Sequence, residues 1–301
     1  MKISTPLKIL PLVAIVALIV AACGSSDDGE TLALRFSGLE PLQNGFHYEG
    51  WAIIDGAPTT TGKFNINSAG RIVDLNGRII EDGEFETDVD LRDATAIVLT
   101  IEPAGDTDTV PAPTHILAGS VAGAQANLSV GHAAALGNDF STAAGAYILA
   151  TPTNGNDTNE TSGIWFLSLE SGSPAAGLQL PALPDGWRYE GWAVINGQPV
   201  TTGRFLDVAA ADFAAPFSGP MSGPPFPGED FLKDAPSGLQ FPTDIRGGTG
   251  VISVEPEPDD SPLPFTLKPL VGTIPADAAD HVTYPVGNNA SGFPTGTAVI
   301  Q

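Results

Sequence analysis

The chain carries one strand-turn-strand segment twice. Tyr48 to Phe64 reads YEGWAIIDGAPTTTGKF and Tyr189 to Phe205 reads YEGWAVINGQPVTTGRF. Twelve of the seventeen positions are identical at an offset of 141, where unrelated segments would share about one. Further markers recur in the same order at an offset of 153: Ile101-Glu102-Pro103 with Val254-Glu255-Pro256, Gly119 with Gly272, and Phe140 with Phe293. A duplicated unit must bury the same face twice, so both copies share one fold. The step from 141 to 153 requires about twelve extra residues in the second copy, between Phe205 and Val254. That stretch holds the Pro/Gly-rich run 216–227, which cannot lie inside a sheet. The copies are expected at 31–160 and 161–301, with the insertion around 206–240 and a polar join at Thr151 to Gly163.

Alternation in the repeated segment puts Glu49, Trp51 and Ile53 on one face of a strand and Tyr48, Gly50 and Ala52 on the other. Asp55-Gly56 and Asn196-Gly197 are strong signals for type I′ hairpins. Return strands are expected at Thr60 to Phe64 and Thr201 to Phe205. Further β-rich runs lie at Thr31 to Phe36, Ala94 to Ile101, His115 to Ala118, Ala146 to Ala150, Ile164 to Leu169 and Gly250 to Val254. No helical period appears outside the N-terminal leader. The expected fold class is all-β: two tandem immunoglobulin-like, Greek-key β-sandwich domains after a lipoprotein signal peptide.

Lys2 and Lys8 flank the start of a leader whose apolar run is Ile9 to Val20. That is shorter than the roughly 20 apolar residues of a membrane-spanning helix and suits a signal peptide. Cys23, the one cysteine, follows directly. Val20-Ala21-Ala22-Cys23 resembles the lipobox of bacterial lipoproteins. The resemblance implies cleavage after residue 22, a diacylglyceryl group on the Cys23 sulfur, and acylation of the new amino terminus. Residues 23–30 then form a short lipidated tether, and the membrane becomes a partner through the lipid. Gly24 stands where Asp would mark retention at the inner membrane, so the expected location is the cell envelope, at the outer membrane. Loss of 1–22 removes two of 12 basic residues and none of 35 acidic ones, leaving a charge of −25. Such a surface disfavours nucleic acid and anionic lipid.

An aromatic-x-x-Trp strand, a Gly turn with Pro, Thr-Gly-x-Phe, then Ile-Glu-Pro-Ala-Gly and Pro-Thr-x-x-x-x-Gly together resemble the C-terminal extracytoplasmic domain of anti-sigma-K factors of the RskA type. The first copy carries the pattern in YEGWAIIDGAPTTTGKF, IEPAGDTD and PTHILAG; the second departs from it over Pro262 to Gly272. The resemblance covers about half of each copy. It implies a fold and not sigma-factor sequestration, which in that family needs a cytoplasmic helical segment and a membrane helix.

Trp51 and Trp192 read first as core tryptophans, with a ligand platform as the sharper alternative. Tyr48, Glu49, Tyr189 and Glu190 complete the candidate ligand-binding set. Glu102 and Glu255 read as strand ends before proline. His47, His115, His132 and His281 lack the clustering of a zinc site, so no metal and no cofactor is expected. The acidic run Glu255, Glu257, Asp259 and Asp260 reads as a solvated turn, with calcium the minority reading. No Gly-x-Ser-x-Gly, Ser-x-x-Lys or phosphate loop follows a strand, and no catalytic residue is assigned. The expectation is a non-enzymatic envelope lipoprotein that binds or senses a protein or small ligand. The alternatives are a glycan-active hydrolase using Glu49 or Glu190, and a structural spacer.

Overall fold

The computed structural model describes Met1, residues 30–155 and residues 157–301. The leader and Cys23 lie outside the described residues. Among those described, the only helical elements are three short 3-10 turns, and no helix is long and apolar enough to cross a membrane. In chain order the first eight strands are β1 (Glu30–Ser37), β2 (His47–Ile54), β3 (Ala57–Ile66), β4 (Ile72–Val73), β5 (Glu84–Thr87), β6 (Ala94–Glu102), β7 (His115–Ser120) and β8 (Gln125–Ser129). There follow β9 (Ala144–Leu149), β10 (Gly163–Trp165), β11 (Leu167–Ser168), β12 (Ala175–Ala176), β13 (Leu178–Gln179) and β14 (Trp187–Ile195). The last six are β15 (Gln198–Phe205), β16 (Gly228–Asp230), β17 (Thr249–Pro256), β18 (Leu270–Thr273), β19 (Tyr284–Asn288) and β20 (Thr295–Ile300).

The all-β class expected from the repeats is the one the structure has. One sheet runs β4-β3-β2-β6-β7-β8-β20-β1-β5. The second runs β15-β14-β17-β18-β19-β9-β10-β16, with β13 also on β9, and β11 pairs with β12 in a small third sheet. The main sheets curve into a half-barrel and a near-barrel, in keeping with sandwich packing.

Apart from β4, which has no counterpart on the second path, the two orders are the same order with one pair of strands traded. β9 closes the first sequence copy yet lies between β19 and β10 of the second sheet. β20 closes the second copy yet lies between β8 and β1 of the first. The division 31–160 and 161–301 therefore marks the sequence repeat and not the sheets. One sheet takes residues 30–129 plus 295–300, and the other takes 144–288. Phe140 and Phe293, the matched residues ahead of the traded strands, meet edge to face at 5.5 Å. Thr31 and Gln301 extend the β1–β20 ladder by exchanging backbone hydrogen bonds of 3.1 and 2.8 Å.

Local chemistry explains why the repeated segment folds alike in both copies. Asp55 and Gly56 have φ of 51° and 78°, and Asn196 and Gly197 have 53° and 82°. These are the two positive-φ positions of a type I′ turn. Opposite the turn, a bulge falls between Gly50 and Trp51, and again between Gly191 and Trp192. A Cβ on Gly50 would stand 2.5 Å from the Thr61 hydroxyl, so the bulge admits no side chain there. Inward from the bulge, Tyr48 stacks on Phe64 at 5.7 Å and Tyr189 on Phe205 at 5.5 Å. The two sheets share one continuous apolar core that contains both aromatic pairs.

Candidate functional site

All six expected ligand-binding residues lie in the walls of the fold. Tyr48, Glu49, Trp51, Tyr189, Glu190 and Trp192 are each 5% exposed or less. The tyrosines face the core, and their hydroxyls donate to backbone oxygens of Glu40 (2.9 Å) and Pro181 (2.6 Å). The tryptophans and glutamates lie on the opposite face of β2 and β14, as alternation requires.

That opposite face carries a polar chain built twice. Trp51 Nε1 donates to Thr100 Oγ1 (2.8 Å), Thr100 donates to Glu102, and Glu102 also accepts from the Ala112 backbone N–H (3.0 Å). In the second copy Trp192 Nε1 donates to Ser253 Oγ (2.8 Å), Ser253 donates to Glu255, and Phe265 N–H closes the chain (2.9 Å). Burial pushes Glu255 up to about 8 and also raises Glu102. Glu102 ends β6 as expected, whereas β17 runs one residue past Glu255 to Pro256, and both glutamates are anchored buried groups. The solvated-turn reading of the acidic run fails for Glu255 and Asp260, which are 0% and 2% exposed. Asp260 is used across the sheets: its carboxylate accepts from Gln43 N–H at 2.6 Å, and its backbone oxygen accepts from Asn44 Nδ2 at 2.8 Å.

Beside each chain a basic residue sits between carboxylates. Glu49 accepts from Thr60 Oγ1 (2.5 Å) and meets Lys63 Nζ at 3.2 Å; Lys63 also donates to Asp106 (2.9 Å). The Lys63 ammonium holds the Asp106 carboxyl below its ordinary value. Glu190 accepts from Thr201 Oγ1 (2.5 Å), and Arg204 reaches Glu190 (3.0 Å), Glu257 (3.4 Å) and Asp259 (2.5 Å). Burial raises Glu190 despite the guanidinium. The copies differ here at several places, and one of them is His47, which corresponds to Arg188. One His47 ring nitrogen and one oxygen each of Glu49 and Asp106 lie within 4.8 Å of one another. Sequence reading missed this group, because Asp106 comes from a loop 57 residues after Glu49.

A second arrangement is specific to the second copy. The insertion, which includes β16, packs against β10 and lines a partly open cavity of about 300 Å³, near the lower end of ligand-pocket sizes. Its walls include Thr153, Trp165, Asp212, Met221, Phe226 and Lys233. Asp212 packs on the bulge glycine of β15, where a Cβ on Gly203 would stand 2.6 Å from its side chain. In the first copy the matching glycine, Gly62, is covered by the Phe85 ring, which a Cβ there would meet at 2.7 Å. A carboxyl thus occupies a phenyl ring's place. Its Oδ2 accepts from Gly228 N–H (2.6 Å), and Oδ1 is buried without a hydrogen bond. Burial pushes Asp212 up to about 8 and the neighbouring Glu229 up to about 7. Asp230 forms the cavity's rear support, accepting from Trp165 Nε1 (2.7 Å) and Thr153 N–H (2.8 Å).

Comparison with protein-family models, with curated proteins and with solved structures gives no match.

Proposed function

We propose that this chain is a lipid-anchored, non-enzymatic binding protein of the cell envelope. Its ligand is a small molecule held in the insertion cavity of the second copy. The anchor rests on the leader and Cys23, and the outer-membrane location on Gly24. The resemblance to an extracytoplasmic domain agrees with residues after 22 working outside the cytosol.

One observation carries the binding reading: the substitution of Asp212 for an aromatic ring over the bulge glycine. The residues shared by both copies serve the walls. The insertion, which only one copy has, adds a cavity lined by apolar side chains and by Asp212, whose Oδ1 has no hydrogen-bond partner. Asp212 is held largely protonated at neutral pH, so it can donate to a ligand acceptor as well as accept. Trp165, Phe226 and Met221 supply the apolar surface. Glu49 and Glu190 are engaged by Thr60 and Lys63, and by Thr201 and Arg204, which speaks against their use as a hydrolase pair.

The test is native mass spectrometry of the full chain purified from its own envelope fraction. Wild type is expected to carry a bound small molecule that Ala215→Trp, which fills the cavity mouth, lacks. Wild type without any bound species, or the same species on the filled variant, removes the reading. Mass analysis of the N-terminal peptide checks the anchor, which an uncleaved leader or unmodified Cys23 thiol would overturn.

A further inference from the structure

The first copy holds two buried polar atoms that its own residues leave short. Nε2 of His47 is buried and has no hydrogen bond, and the residue is only 4% exposed. Glu49 Oε2 is likewise buried without a hydrogen bond and meets only the Lys63 ammonium. Both residues point to the same face of β2, two positions apart, and Asp106 reaches them from the loop after β6. A buried imidazole nitrogen with no hydrogen bond, beside a carboxylate oxygen whose one neighbour is the Lys63 ammonium, costs free energy unless something bridges it.

We propose that His47, Glu49 and Asp106 bind one divalent transition-metal ion, with zinc as the best fit. An imidazole nitrogen with two carboxylates is a borderline donor set that suits zinc and disfavours calcium and magnesium, which take oxygen ligands. Donor atoms around a tetrahedral zinc stand about 3.4 Å apart. The observed group lies within 4.8 Å and needs only a short inward movement. Lys63 occupies the neighbouring cation position, is 26% exposed, and has a flexible stem that lets it swing into solvent as the metal enters. Three protein ligands leave a coordination position free for water or a ligand group.

The second copy is the internal comparison. It keeps Glu190 and Asp259, but Arg188 replaces His47 and Arg204 replaces Lys63. Arg204 already engages Glu190, Glu257 and Asp259. A permanently charged guanidinium fills there the place that the first copy gives to a lysine and a metal. One metal per chain is therefore expected, not two. This site is separate from the insertion cavity and stands whether or not that cavity binds a ligand.

Calorimetric titration of the full chain with zinc, and separately with calcium and magnesium, tests the assignment. Wild type is expected to bind one zinc ion and neither of the other two at comparable strength. Asp106→Asn, a loop change that spares the core, and His47→Arg, which installs the second copy's residue, are each expected to weaken zinc binding roughly 100-fold. Changes behind a ligand already cost about 10- to 100-fold. Lys63→Met removes the competing charge and is expected to tighten binding about tenfold. Absence of zinc binding by wild type overturns the proposal. So does zinc binding that survives both ligand changes, as it would if the metal sat at His281 beside Asp280 and Glu160.

Discussion

Trp51 and Trp192 each spend their indole N–H on a hydroxyl that passes the interaction to a buried glutamate. Trp51→Phe and Trp192→Phe keep most of the ring and remove that donor. Each is expected to lower stability by about 1 kcal/mol, by a similar amount in either copy, in urea unfolding. Asp212 gives a second prediction. Its folded-state pKa of about 8 lies above the ordinary carboxyl value, so the folded state holds the proton longer than the unfolded state does. Stability is then greatest below about pH 4 as far as this group is concerned, and falls as pH rises towards 8. Glu229 and Glu255, at about 7 and about 8, act in the same direction. Thermal unfolding is expected at a lower temperature at pH 8 than at pH 5, with a smaller drop in Asp212→Asn. The glutamates' partners were not readable from the turn: a two-residue turn after Ile54 alone sets Glu49 opposite Gly62, and the one-residue bulge brings Lys63 across from Glu49, as it brings Arg204 across from Glu190. Asp212 was not readable, since an insertion residue carries no periodicity and its meaning depends on the glycine it covers.

The hairpins followed from sequence because their cause is local: two positive-φ turn residues flanked by alternating side chains. The exchange of β9 and β20 left no such trace. Both strands follow a matched phenylalanine, both are short, and a side-chain period of two is satisfied equally in either sheet. Which edge a strand joins is decided by non-local pairing, to which alternation is blind. The exchange makes an asymmetric prediction. Removing residues 295–301, the end of the second repeat, strips the partner from β1 and β8 in the first sheet. Hydrogen exchange is expected to accelerate in those two strands well before β14 and β17, whose ladder lies in the other sheet.

For the whole molecule, the charge of −23 is spread over a surface with few cations to offset it. Self-repulsion of this kind is screened by salt. The unfolding temperature is expected to rise by several degrees between about 10 mM and 500 mM sodium chloride, a shift that corresponds to roughly 1 kcal/mol. A flat response would place the acidic groups in pairings tighter than those seen around Lys63, Arg92 and Arg204. The bonds between Thr31 and Gln301 have one more consequence, for topology. Residues 31 and 301 meet at a seam of about 5 Å, which a linker of two or three residues bridges. A permuted gene joined there and opened between Asp55 and Gly56 keeps every ladder of both sheets. Its new ends emerge at the tip of the β2–β3 hairpin, so anything tethered to them holds the same body by a different corner.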